Sequence, residues 1–202
     1  MLNIFARASV SRVTDPVGAW LVRRGLTPNA VTVLGTVGTV VAALWFIPRG
    51  QLFAGAALVA AFVLFDLLDG AMARARGGGT RYGAVLDASC DRIADGALFG
   101  AIAWWAFGAG EHGLAAATMV SLVGAQVTSY VKARAEASGL SADGGLAERA
   151  ERFIFALVGV GLHGLGVPFV LPVALYVLAV LVVVTVAQRL VAVRRSAKEI
   201  GA

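Results

Sequence analysis

Charge is what this chain has little of. Only 14% of its 202 residues are Asp, Glu, Lys or Arg, against roughly 25% in an ordinary soluble domain. Another 59% are hydrophobic, which excludes a soluble globular enzyme. The single cysteine, Cys90, excludes an intramolecular disulfide and any cysteine-based zinc site; packing is its expected role. The two histidines, His112 and His163, fall in or near loops away from the acidic residues discussed below, so catalytic use is not expected of them. Five prolines and 25 glycines spread along the chain, with no long polar tract, leave no room for a sizeable disordered region. No basic domain stands apart from the apolar stretches. The net charge of +5 therefore points to membrane topology and anionic headgroups, not to nucleic acid.

What is present is a series of long apolar runs. At roughly 20 residues per crossing, the chain has length for six spans in one membrane domain covering residues 1–202. The pattern predicts helices over Pro28 to Ile47, Leu52 to Ala75, Gly83 to Phe107, Gly113 to Ala137, Arg149 to Gly164 and Pro168 to Arg194. Thr27-Pro28 reads as a cap followed by proline at the first helical position. Pro48-Arg49-Gly50 reads as a stop, and Gly77-Gly78-Gly79 and the segment Gly139 to Gly145 as breaks. Ahead of the first span, Met1 to Gly25 is too polar for a signal peptide. Its apolar residues, interleaved with Arg7, Arg12, Arg23 and Arg24, suit a juxtamembrane amphipathic helix lying on the surface; Pro16 keeps a frayed basic tail as the alternative. Of the 17 lysines and arginines, all but Arg49 and Arg92 fall before the first span, in alternate loops or near the C-terminus. That asymmetry places both termini in the cytoplasm. Trp45, Trp104 and Trp105 suit interface or packing positions.

Five of the 12 acidic residues, Asp66, Asp69, Asp87, Asp91 and Asp95, lie within or against apolar helices, where each costs a few kcal/mol in hydrocarbon. Asp66 and Asp69 are spaced i, i+3, and Asp87, Asp91 and Asp95 i, i+4, i+8, so each set lines one helical face. The short turn between their helices lets the faces converge. Carboxylates gathered in one cavity repel unless cations neutralise them or some stay protonated. A hard, all-oxygen donor set favours magnesium or manganese over zinc. Ion pairing with Arg74, Arg76, Arg81 and Arg92, or an ion-coupled relay in a transporter, remain the alternatives at this level.

The residues around the carboxylates extend the pattern to Asp66-x-x-Asp69-Gly70-x-x-Ala73-Arg74, eight residues, then Gly83-x-x-x-Asp87-x-x-x-Asp91. This resembles the signature of the CDP-alcohol phosphotransferases at every defined position. The resemblance implies a six-helix, usually dimeric membrane enzyme that displaces CMP from a CDP-linked donor using two divalent ions, magnesium with manganese possible. It also implies that Asp66 and Asp87 bridge both ions, Asp69 completes one site, and Asp91 completes the other and serves as general base. Gly70, Ala73 and Gly83 leave room for the nucleotide against the backbone, or serve close helix packing. Arg74 can neutralise a phosphate and Thr80 offers a hydroxyl. The stretch Gly25 to Thr32 is similar to what the family carries before its first span, so Asn29 and Thr32 are expected to face the nucleotide unless they belong to a helix cap alone. Asp95 lies outside the signature and is expected to support the pocket or the fold.

For the acceptor, Ser129, Lys132, Arg134, Arg152 and Arg189 supply a hydroxyl and cations suited to a phosphorylated alcohol; topology and anionic lipid contact are the plainer reading of the same charges. Ser129-Tyr130-Val131-Lys132-Ala133-Arg134-Ala135-Glu136-Ala137-Ser138-Gly139 with Glu148-Arg149-Ala150-Glu151-Arg152 resembles the actinobacterial phosphatidylinositol-phosphate synthases of that family. Ala150 stands where that pattern leads one to expect proline. The resemblance implies CDP-diacylglycerol as donor, inositol phosphate as acceptor, and a multi-pass plasma-membrane homodimer with its site at the cytoplasmic side. A sister enzyme using glycerol 3-phosphate is the nearest alternative. An ion-coupled transporter and a non-catalytic scaffold are the alternatives of other classes.

Overall fold

The computed structural model describes the backbone of residues 2–201 and, apart from residues 1–11, 13, 66 and 202, their side chains. Among the described residues the secondary structure is entirely helical. In chain order the helices are α1 (Leu2–Arg23), α2 (Pro28–Phe46), a 3₁₀ turn (Ile47–Arg49), α3 (Leu52–Val63), α4 (Phe65–Ala75), α5 (Arg81–Gly108), α6 (His112–Ala137), α7 (Arg149–Gly164) and α8 (Val170–Glu199). The punctuation follows local chemistry. Thr27 Oγ1 accepts the Ala30 N–H at 3.2 Å, capping α2 with Pro28 in its first turn. Pro48 turns the end of α2 into 3₁₀ geometry, closed by Gly50 at φ 76°. Past α4 the chain turns left-handed at Gly77 and Gly78, and Gly78 N–H closes back on the Ala73 carbonyl at 2.9 Å, as helix C-caps do.

Two boundaries differ from the sequence pattern. The run Leu52 to Ala75 is two helices, because at Leu64 the backbone tightens and the Leu67 N–H takes the Leu64 carbonyl, three residues back, at 3.1 Å. The last helix begins after Phe169, whose φ of 61° breaks the helical path at Pro168-Phe169. It then continues to Glu199, since after Pro172 in its first turn no glycine or proline intervenes before Gly201.

Four stretches among the described residues are long and apolar enough to cross a membrane: Pro28–Arg49, Leu52–Ala75, His112–Ala137 and Val170–Glu199. This is a membrane protein on that character. Helix α5, with 28 residues, has the length, but Asp87, Asp91, Arg92 and Asp95 lie along it up to its midpoint. Helix α7 has 16 residues and opens on Arg149, Glu151 and Arg152.

The chain divides into two compact units, residues 1–42 with 58–94 and residues 43–57 with 95–202. In the first, α1 packs along α4, where a Cβ on Gly18 would lie 2.9 Å from the Met72 backbone nitrogen. The membrane-surface reading of α1 rests partly on Leu2, Phe5, Arg7, Val10 and Val13, whose side chains lie outside the described residues. Where α1 is described, Thr14 is buried, while Val17 and Trp20 face outward. Gly35 and Gly38 of α2 let Phe65 and Phe62 come close, the use small residues have between membrane helices. In the second unit α8 packs against both α6 and α7, with Gly159 of α7 set against Ala174 and Leu171. Leu171, Leu175, Leu178 and Val182 of α8 are fully buried there.

Candidate active site

The first unit holds the whole signature. Helix α4 presents Asp69, 8% exposed, and the Thr32 hydroxyl of α2 donates a hydrogen bond to Asp69 Oδ2. The same hydroxyl lies 3.1 Å from the Pro28 carbonyl one turn back. Thr32, expected at the nucleotide, is thus engaged with a carboxylate of the signature. Helix α5 brings Asp87 and Asp91 onto one face a turn apart. Asp87 is exposed, and Asp91 lies 3.7 Å from the Arg92 guanidinium with about a fifth of its side chain accessible. The side chain of Asp66 lies outside the described residues. Among the rest, no three His, Cys, Asp or Glu side chains already stand as a metal-holding group. The donor chemistry nevertheless fits a hard divalent ion. Carboxylates of α4 and α5 share the unit, both histidines belong to the other one, and Cys90 is buried.

The turn before α5 adds a small polar cradle. Thr80 Oγ1 accepts the Gly83 N–H at 2.9 Å, and a Cβ on Gly83 would lie 3.0 Å from Thr80 Oγ1 and 3.2 Å from Asn29 Oδ1. The structure therefore brings Asn29, Thr80 and Gly83 together, and a side chain at position 83 would press on both oxygens. Gly70 and Ala73 sit a turn apart on α4, both partly exposed. Arg74 is exposed and its Nη2 lies 2.7 Å from Asp15 Oδ1 of α1, a partner the sequence did not announce. Half the Asp15 side chain is accessible, so the pair stands in solvent reach.

The second unit holds the basic residues expected at the acceptor. Lys132 and Arg134 are exposed on α6, with Lys132 3.9 Å from Glu136 a turn on. Ser129 Oγ donates back to the Ala125 carbonyl at 3.1 Å. Arg152 and Arg189 are buried, at 2% and 6% exposure. The Arg189 guanidinium donates to two carbonyls, from Nη1 to Thr128 at 3.0 Å and from Nε to Gly144 at 3.2 Å. Its depth thus has a structural use: it ties the α6–α7 loop to α8. Three more side chains of α8 grip the same loop. Ser141 N–H donates to Ser196 Oγ at 3.0 Å, Leu146 N–H to Gln188 Oε1 at 3.2 Å, and Ala147 N–H to Thr185 Oγ1 at 3.0 Å. Of these side chains the sequence pointed only to Arg189; Thr185 and Ser196, at helical spacing from it, and its neighbour Gln188 were the remaining signal. His112 and His163 pack against Phe107 and Trp105 respectively, a packing use of both rings.

Comparison with known proteins agrees with the signature. Residues 25–187 match the CDP-alcohol phosphatidyltransferase family. The chain is 55% identical over 198 residues to a phosphatidylinositol phosphate synthase of Mycobacteroides abscessus, covering 97% of this chain and 90% of that one. It is 48% identical over 210 residues to the protein of that name from Streptomyces avermitilis, covering 100% and 86%. Among solved structures, the Mycobacterium tuberculosis phosphatidylinositol phosphate synthase with CDP-DAG bound superposes with a TM-score of 0.86 at 54% identity, over 92% of this chain and 95% of that one. The same enzyme in complex with manganese and citrate gives 0.85 at 53%, over 91% and 90%. On the match across most of its length, the chain belongs to the CDP-alcohol phosphatidyltransferase family.

Proposed function

We propose that this chain transfers the phosphatidyl group of CDP-diacylglycerol to inositol phosphate, releasing CMP and leaving phosphatidylinositol phosphate in the bilayer. The observation that carries the reading is the complete signature from Asp66 to Asp91, with Asp69 bonded to Thr32 beside the Asn29–Thr80–Gly83 cradle in one unit. High identity to relatives named for this activity supports the choice of acceptor.

In this reading Asp66, Asp69, Asp87 and Asp91 hold two magnesium ions, with manganese as a substitute. When bound, these ions neutralise the diphosphate and the oxygens of an in-line displacement. Asn29, Gly70, Ala73, Arg74, Thr80 and Gly83 receive the CDP portion, with Thr32 beside them through its bond to Asp69. Ser129, Lys132, Arg134, Arg152 and Arg189 receive the acceptor phosphate and its hydroxyls. Asp91 takes the proton from the acceptor hydroxyl as that oxygen attacks the phosphorus nearest the diacylglycerol; the bond to the CMP oxygen breaks and CMP departs. Helices α5 and α7 complete six spans. At 1.5 Å per residue, α5 is about 42 Å long, ample for a core of roughly 30 Å. The protein is a plasma-membrane homodimer with α1 on the inner surface and both termini and the site cytoplasmic, as the distribution of lysine and arginine favours.

The test is direct. Purified protein is incubated with CDP-diacylglycerol, magnesium and, separately, inositol phosphate, inositol, glycerol 3-phosphate and serine, while CMP and lipid product are measured. CMP release specific to inositol phosphate, abolished by a chelator and restored by magnesium, is expected. Release with glycerol 3-phosphate alone reassigns the acceptor. No CMP with any of them, or full turnover in chelator, overturns the mechanism.

A further inference from the structure

The fully buried carboxylate of Asp95 stands outside the signature, and the second unit surrounds it with the arginines that open α7. Arg149 Nε lies 3.4 Å from Asp95 Oδ1, and Arg152 Nη2 lies 3.6 Å from Oδ2. Arg152 is gripped again from the other side, its Nη1 donating at 2.9 Å to the Ala147 carbonyl. Ala147 is itself held, since its N–H donates to Thr185 of α8. Arg149 lies over the Phe153 ring, 4.8 Å from its centroid. One carboxylate thus orients two guanidiniums, while the loop pinned to α8 fixes the inner one.

We propose that Asp95 is a positioning residue for acceptor binding, holding the guanidiniums of Arg149 and Arg152 in place. This rests on the assignment of Arg152 to the acceptor phosphate made above. Through these contacts the carboxylate faces both guanidiniums from α5. A buried ion cluster is a weak source of stability compared with apolar packing of the same volume, whereas a charge-assisted contact to a bound phosphate that is lost costs on the order of ten- to hundredfold in affinity. Arg149, absent from the acceptor residues expected from sequence, enters through the same contact.

The experiment compares wild-type protein with Asp95→Asn and Asp95→Glu, each confirmed monodisperse in detergent. It measures kcat, the KM of inositol phosphate and of CDP-diacylglycerol, and inositol phosphate binding by calorimetry. Asp95→Asn is expected to raise the acceptor KM and weaken acceptor binding ten- to hundredfold while leaving the CDP-diacylglycerol KM within twofold. Asp95→Glu, which keeps the charge one methylene away, recovers part of the loss. A fall in kcat with both KM values unchanged marks a merely structural role and overturns the proposal. Should Asp95→Asn not fold, an unchanged acceptor KM in Asp95→Glu overturns it equally. If the wild type binds glycerol 3-phosphate but not inositol phosphate, the acceptor assignment fails, and Asp95 is judged on glycerol 3-phosphate affinities of the same proteins. Wild-type protein that binds neither overturns both.

Discussion

Replacing Thr32 with valine tests whether the α2–α4 contact serves the metal site or the nucleotide. Valine is nearly isosteric and keeps the β-branch, so α2 loses little intrinsic stability. What disappears is the single hydroxyl proton, for which Asp69 Oδ2 and the Pro28 carbonyl compete; the carboxylate, as the charged acceptor, takes it preferentially. Thr32 and Asp69 are both nine-tenths buried, so water replaces the lost donor poorly. A hydrogen bond to a charged group is worth about 1.5 to 3 kcal/mol, roughly one to two decades at 1.36 kcal/mol per decade. Groups that orient metal-binding carboxylates show losses of the same order. Thr32→Val is therefore expected to raise the magnesium concentration for half-maximal CMP release about ten- to hundredfold. At saturating magnesium the CDP-diacylglycerol KM should move less than about threefold, and Thr32→Ser should stay near wild type. A raised donor KM with an unchanged magnesium requirement would return Thr32 to the nucleotide and refute the reasoning.

Asp91→Asn should lower kcat by roughly 10²- to 10⁴-fold, the range for a lost general base, with donor binding little changed; a variant retaining most of its rate removes the base assignment. Asp15→Asn should change stability by less than about 1 kcal/mol, because its pair with Arg74 is half exposed. It should also lower the CDP-diacylglycerol KM, since the carboxylate no longer competes with the diphosphate for that guanidinium; a raised KM would mean that Asp15 helps bind the donor. Gly164→Ala sets a methyl against the Phe53 backbone nitrogen and Leu52, so thermal denaturation should show a loss of about 1 to 3 kcal/mol, as overpacking does; an unchanged midpoint contradicts that close approach. For topology, Gly144 and Gly110 hold left-handed φ values and tolerate no side chain well, so cysteines belong at their neighbours in a Cys90→Ala background. Asp143→Cys should react with a reagent confined to the cytoplasm and Glu111→Cys only with one applied outside; the reverse pattern inverts the proposed orientation.

Much of this was legible in one dimension. Apolar runs of span length and the Pro and Gly residues between them determined the helices and most of their ends, because a buried backbone must satisfy itself locally and breakers act locally. The signature was legible for the same reason: Asp66 with Asp69, and Asp87 with Asp91, are neighbours through helix periodicity, which needs no tertiary information. The split at Leu64 was invisible, since no breaker marks it and α2 packs there through Gly35 and Gly38 against Phe62 and Phe65.

Partnership across long separations was decided only in three dimensions. Thr32 was expected at the nucleotide; that its hydroxyl bonds Asp69, 37 residues away, was decided only by packing. Arg74 looked available until Asp15 was placed beside it, 59 residues away. Arg189 was expected as an acceptor cation, and its bonds to Thr128 and Gly144 show a second use for the same charge, closing a loop. Asp95 was a carboxylate of uncertain purpose until Arg149 and Arg152, more than 50 residues on, were found around it. The physical reason is common to all four. A sequence displays the cost of burying a polar group, whereas the group that offsets the cost is chosen by packing between segments whose separation along the chain carries no periodic signal.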